Sequence, residues 1–311
     1  MNTQVSDSTR TAVPTQSEAT FPKEPKLLNI KKILLPLDLL ETSLPGPVIH
    51  QAAALARHFG AEILLLHVVK PLTYLGNGKS TQELLQNAIA REEEKLRNCV
   101  GPELEGCTVT RMVLKGDPTH EILRVAHDEK VDLIVMPTHG YGEFQTFLLG
   151  SATAKVIHKS ECPVWTGARL DSSAGQPFAI RNILCAVDFE THSAKTIRLA
   201  QSVAAEFGAA LTLAHVTAGV EIYGPGGTHV LQDMKRELVS AATQHMERIQ
   251  RELGVEAAVF IGCGNVARVI TQAAKDTKAD LVIVGCRSIR GRLGTTAYGI
   301  IRESSIPVLT V

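Results

Sequence analysis

The chain repeats its own sequence once, at a spacing of about 150 residues. Four segments of the first part recur in the same order in the second part: KILLPLD at 32–38 as NILCAVD at 182–188, ARHFGA at 56–61 as AAEFGA at 204–209, DLIV at 132–135 as DLVI at 280–283, and CPVWT at 162–166 as IPVLT at 306–310. A repeat of this length is the size of a whole domain, so the sequence predicts a duplicated domain and not a solenoid of short units. The differences between the copies are informative, because a duplicate is free to lose a site.

The length of 311 residues suits two domains, each large enough to bury its own core. Residues 1–28 are rich in Ser, Thr, Pro and charged residues, and we predict that they form a disordered tail. The first domain is expected at 29–167 and the second at 180–311. Residues 168–179, which include a Ser-Ser-Ala-Gly run, are predicted to be the linker between them.

Short apolar runs alternate along the first copy with segments of helical spacing. The strands are predicted near 33–37, 63–69, 108–114, 133–136 and 163–166, and the helices near 45–59, 82–99, from 118 and at 151–160. Alternation of this kind predicts an α/β fold, with an open sheet of five parallel strands and helices on both faces. The second copy repeats the pattern from residue 183, so we expect two Rossmann-like domains in tandem.

Composition and missing motifs exclude several classes of function. The chain carries 32 Lys and Arg against 32 Asp and Glu, which argues against a broad nucleic-acid-binding surface. It contains no apolar run long enough to span a membrane and no apolar signal core at its N-terminus, so we expect a cytoplasmic protein. The six cysteines lack CxxC spacing and are predicted to be reduced thiols. No catalytic triad, Walker lysine or HExxH pattern is present, so neither a catalytic nor a metal-binding residue is predicted.

The candidate ligand site lies at the carboxyl ends of the strands, where open parallel sheets bind ligands. The residues that end the first four strands are Pro36, Leu37, Asp38, Val68, Val69, Gly116, Met136 and Pro137. Asp38 has two interpretations: it caps the following helix, or it accepts hydrogen bonds from a ribose or a base. For Gly116 the alternative is a turn that contacts no ligand.

A second glycine-containing segment follows the fourth strand. Gly140 stands ten residues before Gly150, and Gly150, Ser151, Ala152 and Thr153 open the next helix. The first amides of a helix and the positive end of its dipole favour an anion, so this segment is a candidate phosphate site. The alternative is a glycine loop followed by an ordinary serine N-cap. Histidines 67, 139 and 215 are predicted to make local hydrogen bonds.

The strings DLIVMPTHG at 132–140, FLLGSAT at 147–153 and CPV at 162–164 resemble the universal stress protein family, and the resemblance covers both copies. It implies an adenine nucleotide alpha hydrolase-like fold and pairing of the domains through their last strands. Nucleotide-binding members carry G-x2-G-x9-G-(S/T), which wraps the phosphates of ATP. Gly140, Gly150 and Ser151 match this motif, and His139 lies within it. Pro137 replaces the first glycine and removes an amide hydrogen.

The resemblance implies that the first domain binds ATP, with or without magnesium, as a sensor or switch in a stress response. Glu143 would either repel the phosphates or help to hold a divalent ion. Two alternatives stay open: a slow ATPase or nucleotidyl- or phosphoryl-transfer enzyme that uses the same crevice, and a protein-interaction module without a ligand. The absence of a positioned phosphate lysine or general base argues against fast hydrolysis.

The second copy departs further from the motif. Only five residues separate Ser288 from Gly294, four fewer than the motif requires. Arg287, Arg290 and Arg292 cluster there and form either a solvated basic turn or a site for an anion or a partner. We therefore expect the second domain to be mainly architectural. The last strands, 164–166 and 307–311, are predicted to pair antiparallel across an approximate twofold axis. A homodimer through the outer surfaces is a further alternative.

Overall fold

A computed structural model describes residues 28–39, 46–70, 79–99, 101–138, 149–167, 178–217, 227–286 and 295–311. Almost all of the predicted tail and most of the predicted linker lie outside these residues. The first half contains β1 (Lys32–Pro36), α1 (Gly46–Phe59), β2 (Glu62–Val69), α2 (Lys79–Asn98), a 3-10 turn (Pro102–Leu104), β3 (Thr108–Lys115), α3 (Pro118–Asp128), β4 (Leu133–Pro137), α4 (Ser151–Lys159) and β5 (Val164–Gly167).

The second half repeats this order. It contains β6 (Asn182–Ala186), α5 (Ser193–Phe207), β7 (Ala210–Thr217), α6 (Gly227–Leu253), β8 (Ala258–Cys263), α7 (Val266–Asp276), β9 (Leu281–Val284), α8 (Thr295–Glu303) and β10 (Val308–Thr310). The predicted α/β alternation is confirmed in both copies. Among the described residues, no helix combines the length and the apolar character that crossing a membrane requires.

The strands form one sheet in the order β3-β2-β1-β4-β5-β10-β9-β6-β7-β8. Every pair within a half is parallel, whereas β5 and β10 are antiparallel. In the first half β1 lies between β2 and β4, so the strand order reverses at β1. That reversal point is where an open α/β sheet forms a ligand crevice.

The two last strands meet at equivalent positions. Trp165 lies opposite Leu309 in the register, and these two positions correspond in the duplication. Thr166 Oγ1 donates to the carbonyl of Val308 at 3.0 Å, and Thr310 Oγ1 donates to the carbonyl of Val164 at 3.1 Å. The two hydrogen bonds are reciprocal, which is the signature of an approximate twofold axis between the halves.

The core covers both faces of the sheet and crosses from one half to the other. On one face, Leu35 and Trp165 of the first half belong to the same buried cluster as Ile183 of the second. On the other face, Val164 and Val308 belong to one cluster. Strands buried on both faces explain the continuous apolar runs in the sequence.

Local sequence signals mark the ends of α1 and α5 and the start of α3. Gly60 and Gly208 follow α1 and α5 with φ of 64° and 61°, a left-handed conformation that glycine adopts without strain. Asp117 accepts a hydrogen bond from the amide of His120 at 3.0 Å and caps α3, with Pro118 in the first turn.

Candidate functional site

Backbone hydrogen bonds bring the ends of the first three strands together. The amide of Leu37 donates to the carbonyl of Leu66 at 2.8 Å, which joins the ends of β1 and β2. The amide of Gly116 donates to the carbonyl of Val69 at 3.1 Å, which joins β2 and β3. A side chain at Gly116 would collide with Glu121, whose Cγ lies 2.9 Å from the position of a Cβ.

A buried histidine fixes the segment after β1. The side chain of His67 is 2% exposed, and its Nδ1 lies 2.9 Å from the carbonyl oxygen of Leu37, so Nδ1 is the protonated nitrogen and donates. In the second half, His215 Nδ1 lies 2.7 Å from the carbonyl oxygen of Val187. The predicted local hydrogen bonds are confirmed for both histidines.

Helix α4 begins directly beside the end of β4. The amide of Gly150 donates to the carbonyl of Thr138 at 3.0 Å, and Thr153 Oγ1 donates to the carbonyl of Pro137 at 3.1 Å. Gly150 is the N-cap residue and Ser151 is the first helical residue, so Ser151 is not the cap. Glycine has no side chain with which to accept hydrogen bonds from the first-turn amides, and those amides suit an anion.

The predicted residues differ in exposure. Met136, Leu37, Pro36 and Thr153 are buried, whereas Val68, Val69, Gly116, Pro137, Gly150 and Ala152 are half-buried, and Asp38 and Ser151 are exposed. Helix α1 begins at Gly46, eight residues after Asp38, so Asp38 is not its N-cap residue. His139, Gly140 and Glu143 lie outside the described residues. The β1 and β4 ends are adjacent because these two strands pair.

The equivalent aspartate of the second half has a structural role. Asp188 Oδ1 accepts hydrogen bonds from the amide of Glu190 at 3.0 Å and from Ser193 Oγ at 2.7 Å. Phe189 follows with φ of 63° and stacks on the ring of His215, with the ring centroids 3.9 Å apart. These contacts fold the segment between β6 and α5 into a tight turn.

The second half also contains a cavity that the sequence reasoning missed. It has a volume of about 260 Å³ and lies at the carboxyl ends of β6, β7 and β9. Its described lining is mostly apolar, with polar groups from Asp188, Ser193 and Thr196. Burial raises the pKa of Cys286, another lining residue, to about 12, so its thiol stays protonated at neutral pH and is a poor nucleophile. The apolar residues that follow β6 and β9 in the sequence were the only signal that could have indicated this cavity.

A larger hollow of about 870 Å³ lies between α3 and α4. Its wall carries charges of both signs, including Arg124, Asp128 and Lys155. None of the predicted site residues lines it, so this hollow and the predicted crevice are different places. We assign the candidate site to the strand ends, where the backbone bonds converge.

The repeated order of strands and helices defines a duplicated α/β domain with a parallel sheet in each half. A model of the universal stress protein family matches residues 29–166 and 179–311. The chain therefore belongs to the universal stress protein family, with two family domains in tandem.

Individual relatives agree with this assignment. The chain is 33% identical to a universal stress protein of Methanocaldococcus jannaschii over 159 residues, which is 46% of this chain and 97% of the relative. It is 33% identical to one of Thermus aquaticus over 138 residues, 43% of this chain and 96% of the relative. A solved universal stress protein from Archaeoglobus fulgidus aligns over 90% of this chain and 95% of its own, with a TM-score of 0.64 and 24% identity. That structural likeness supports the fold of the whole tandem chain.

Proposed function

We propose that the first half binds ATP in the crevice at the ends of β1, β2, β3 and β4, and that it acts as a nucleotide-dependent sensor or switch. The observation that carries this proposal is the start of α4, where no side chain of the described residues caps the helix. Its N-cap is Gly150, held 3.0 Å from the carbonyl of Thr138 at the end of β4. The helix start thus stands at the point where the strand order reverses.

The chemistry of ATP suits the two ends of this crevice. Phosphate oxygens accept hydrogen bonds from first-turn amides, and the helix dipole favours their negative charge. At the end of β1, the carboxylate of Asp38 would accept hydrogen bonds from a ribose hydroxyl or a base amine. A magnesium ion would arrive with the triphosphate, because Mg²⁺ is commonly bound through substrate phosphates and one or two carboxylates.

Binding is the activity that the residues support, and catalysis is not required for a switch. A single-turnover assay with radiolabelled ATP measures hydrolysis directly. We expect bound nucleotide to be recovered intact over the lifetime of the complex. Rapid release of phosphate in the same assay would favour the enzyme alternative.

Calorimetric titration and mass spectrometry of released ligand test the proposal itself. Protein purified quickly should release an adenine nucleotide on denaturation, and emptied protein should bind ATP with one site per chain. Two equivalent sites would contradict the assignment of ATP binding to the first half alone. No heat of binding with ATP and Mg²⁺ would contradict ATP binding itself.

We also propose that the pairing of β5 with β10 holds the two halves together in solution. Trp165 is the only tryptophan of the chain and is 2% exposed at this junction. Its Nε1 donates to Gln51 Oε1 at 2.8 Å within the core. Its fluorescence should therefore resist quenching by iodide and acrylamide at nanomolar protein, because the halves are joined in one chain.

A further inference from the structure

The C-terminal ends of α1 and α5, which are equivalent in the two halves, contact each other at the approximate twofold axis. His58 and Phe59 end α1, and they correspond to Glu206 and Phe207 at the end of α5. His58 Nε2 lies 3.0 Å from Glu206 Oε1. The rings of Phe59 and Phe207 meet edge to face, with their centroids 5.9 Å apart.

A twofold axis dictates which residues meet. In a symmetric pair of identical domains, a residue on the axis faces its own copy. Here Phe59 faces Phe207, so the same residue type meets at the axis, as it would in a symmetric pair. His58 faces Glu206 instead, and this pair joins an imidazole to a carboxylate. The ring of His58 also stacks on Phe207, at 4.5 Å and 21°.

Equivalent positions in β5 and β10 of the sheet also carry different residues. Trp165 faces Leu309 across the β5–β10 register, and the two side chains are 2% and 5% exposed. Directly opposite residues of an antiparallel pair point to the same face of the sheet, with Cβ atoms about 4.5–5.5 Å apart. A large and a smaller side chain therefore share this buried space.

Two copies of the same half would fit each other less well, both at the helix ends and in the sheet. Two copies of the first half would place tryptophan against tryptophan in a packed core, where added volume is destabilising. Two copies of the second half would place the carboxylate of Glu206 against itself, and its side chain is only 20% exposed. The flanking hydrogen bonds of Thr166 and Thr310 do not discriminate, because both halves carry threonine there.

We propose that the axial residues His58 and Trp165 of the first half, with Glu206 and Leu309 of the second, make each half bind the other in preference to a copy of itself. The partner that this surface fits is thus the unlike half of the same chain. The contacts act through complementarity of charge and volume, and they disfavour chains joined through like halves. The inference rests on the proposed pairing of the halves in solution and is independent of ATP binding.

Exchange of the axial charges in the full-length chain tests this proposal. His58→Glu places two carboxylates at the axis and Glu206→His places two imidazoles there. The double variant restores one of each, with their sides exchanged. We expect each single variant to lower the melting temperature by about 2–4 °C, and the double variant to return to within about 1 °C of the parent. After refolding at increasing concentration, light scattering should find more interchain assembly in the single variants than in the double variant.

His127→Glu is the matched control, because it creates a like-charge contact with Glu161 inside one half. Both side chains are more than 70% exposed, at 73% and 81%, so we expect a change of less than about 1 °C. Glu206→Gln provides a milder variant that keeps a hydrogen-bond acceptor. Single variants as stable as the parent, or a double variant no better than the single ones, would overturn the proposal. Free quenching of Trp165 in the parent would instead show that the halves do not pair, which removes the inference at its first step.

Discussion

The two crevices of this chain have the same framework and different contents. In the first half, α4 starts at Gly150 beside the end of β4 without a side-chain cap from the described residues, and Asp38 is exposed at the end of β1. In the second half, Asp188 is engaged by the hydroxyl of Ser193, and mostly apolar residues enclose a cavity of about 260 Å³. The strands and helices determine where a site can lie, whereas the connecting segments determine what it holds.

The last residue of β4 and its equivalent after β9 differ between the halves. Pro137 ends β4, and its equivalent in the second half is Gly285. The first half, with the longer loop after β4, thus carries a proline without an amide hydrogen. The second half, with the shorter loop, keeps the glycine. A Cβ at Gly285 would lie 3.0 Å from Thr196 Oγ1, so the second half uses its glycine for a close approach to α5. Neither half carries the complete family motif.

The largest effect is expected from Gly150→Asp. The residue has φ of −54°, and a Cβ there would meet Thr153 Oγ1 at 3.4 Å, so a side chain fits. Aspartate is also a favoured N-cap, which keeps α4 folded. Its charge would oppose the phosphates, and like charges placed together cost several kcal/mol, so the dissociation constant should rise by about 100-fold or more.

Gly150→Asn is the control for this experiment, since asparagine has the same shape, caps equally well and is neutral. It should weaken ATP binding far less than aspartate while both variants melt at or above the parental temperature. Equal affinity for ATP in the aspartate variant and the parent would remove α4 from the site. Calorimetric titration and thermal melts supply both measurements.

A smaller effect in the opposite direction is expected from Pro137→Gly. This change restores an amide hydrogen, and a hydrogen bond to a charged group contributes about 1.5–3 kcal/mol, so ATP should bind about tenfold more tightly or better. Pro137→Ala restores the same amide without the flexibility of glycine. If both variants bind more tightly, the amide is the cause. Unchanged affinity in both would show that the nucleotide does not use this amide.

The sequence predicted the framework because its signals are local. Continuous apolar runs such as 33–35 identify strands buried on both faces, and Gly60 marks the end of α1 at the point where the structure adopts φ of 64°. The 3-10 turn at Pro102–Leu104 was missed, because a single turn has no periodicity to detect.

The site residues were harder to assign from sequence, because their roles depend on tertiary contacts. Asp38 and Asp188 end equivalent strands, yet only the fold shows that Ser193 engages the second of them. The contact between His58 and Glu206 joins residues that are 148 positions apart. It follows from the docking of the two halves, and no local pattern in either helix indicates it.

The smallest expected effects separate the two aspartates. Asp188→Ala leaves the hydroxyl of Ser193 without its acceptor, and Ser193 is 6% exposed. Loss of this bond should cost about 1 kcal/mol and lower the melting temperature by about 2–4 °C, with ATP affinity unchanged. Adding Ser193→Ala should cost less than the sum of the two single changes, because the two residues share one interaction.

Asp38→Ala should instead weaken ATP binding by about tenfold, the loss of one hydrogen bond to a charged group. If Asp188→Ala weakens ATP binding as much as Asp38→Ala does, the second crevice also takes part in nucleotide binding, and the contrast between the two halves fails.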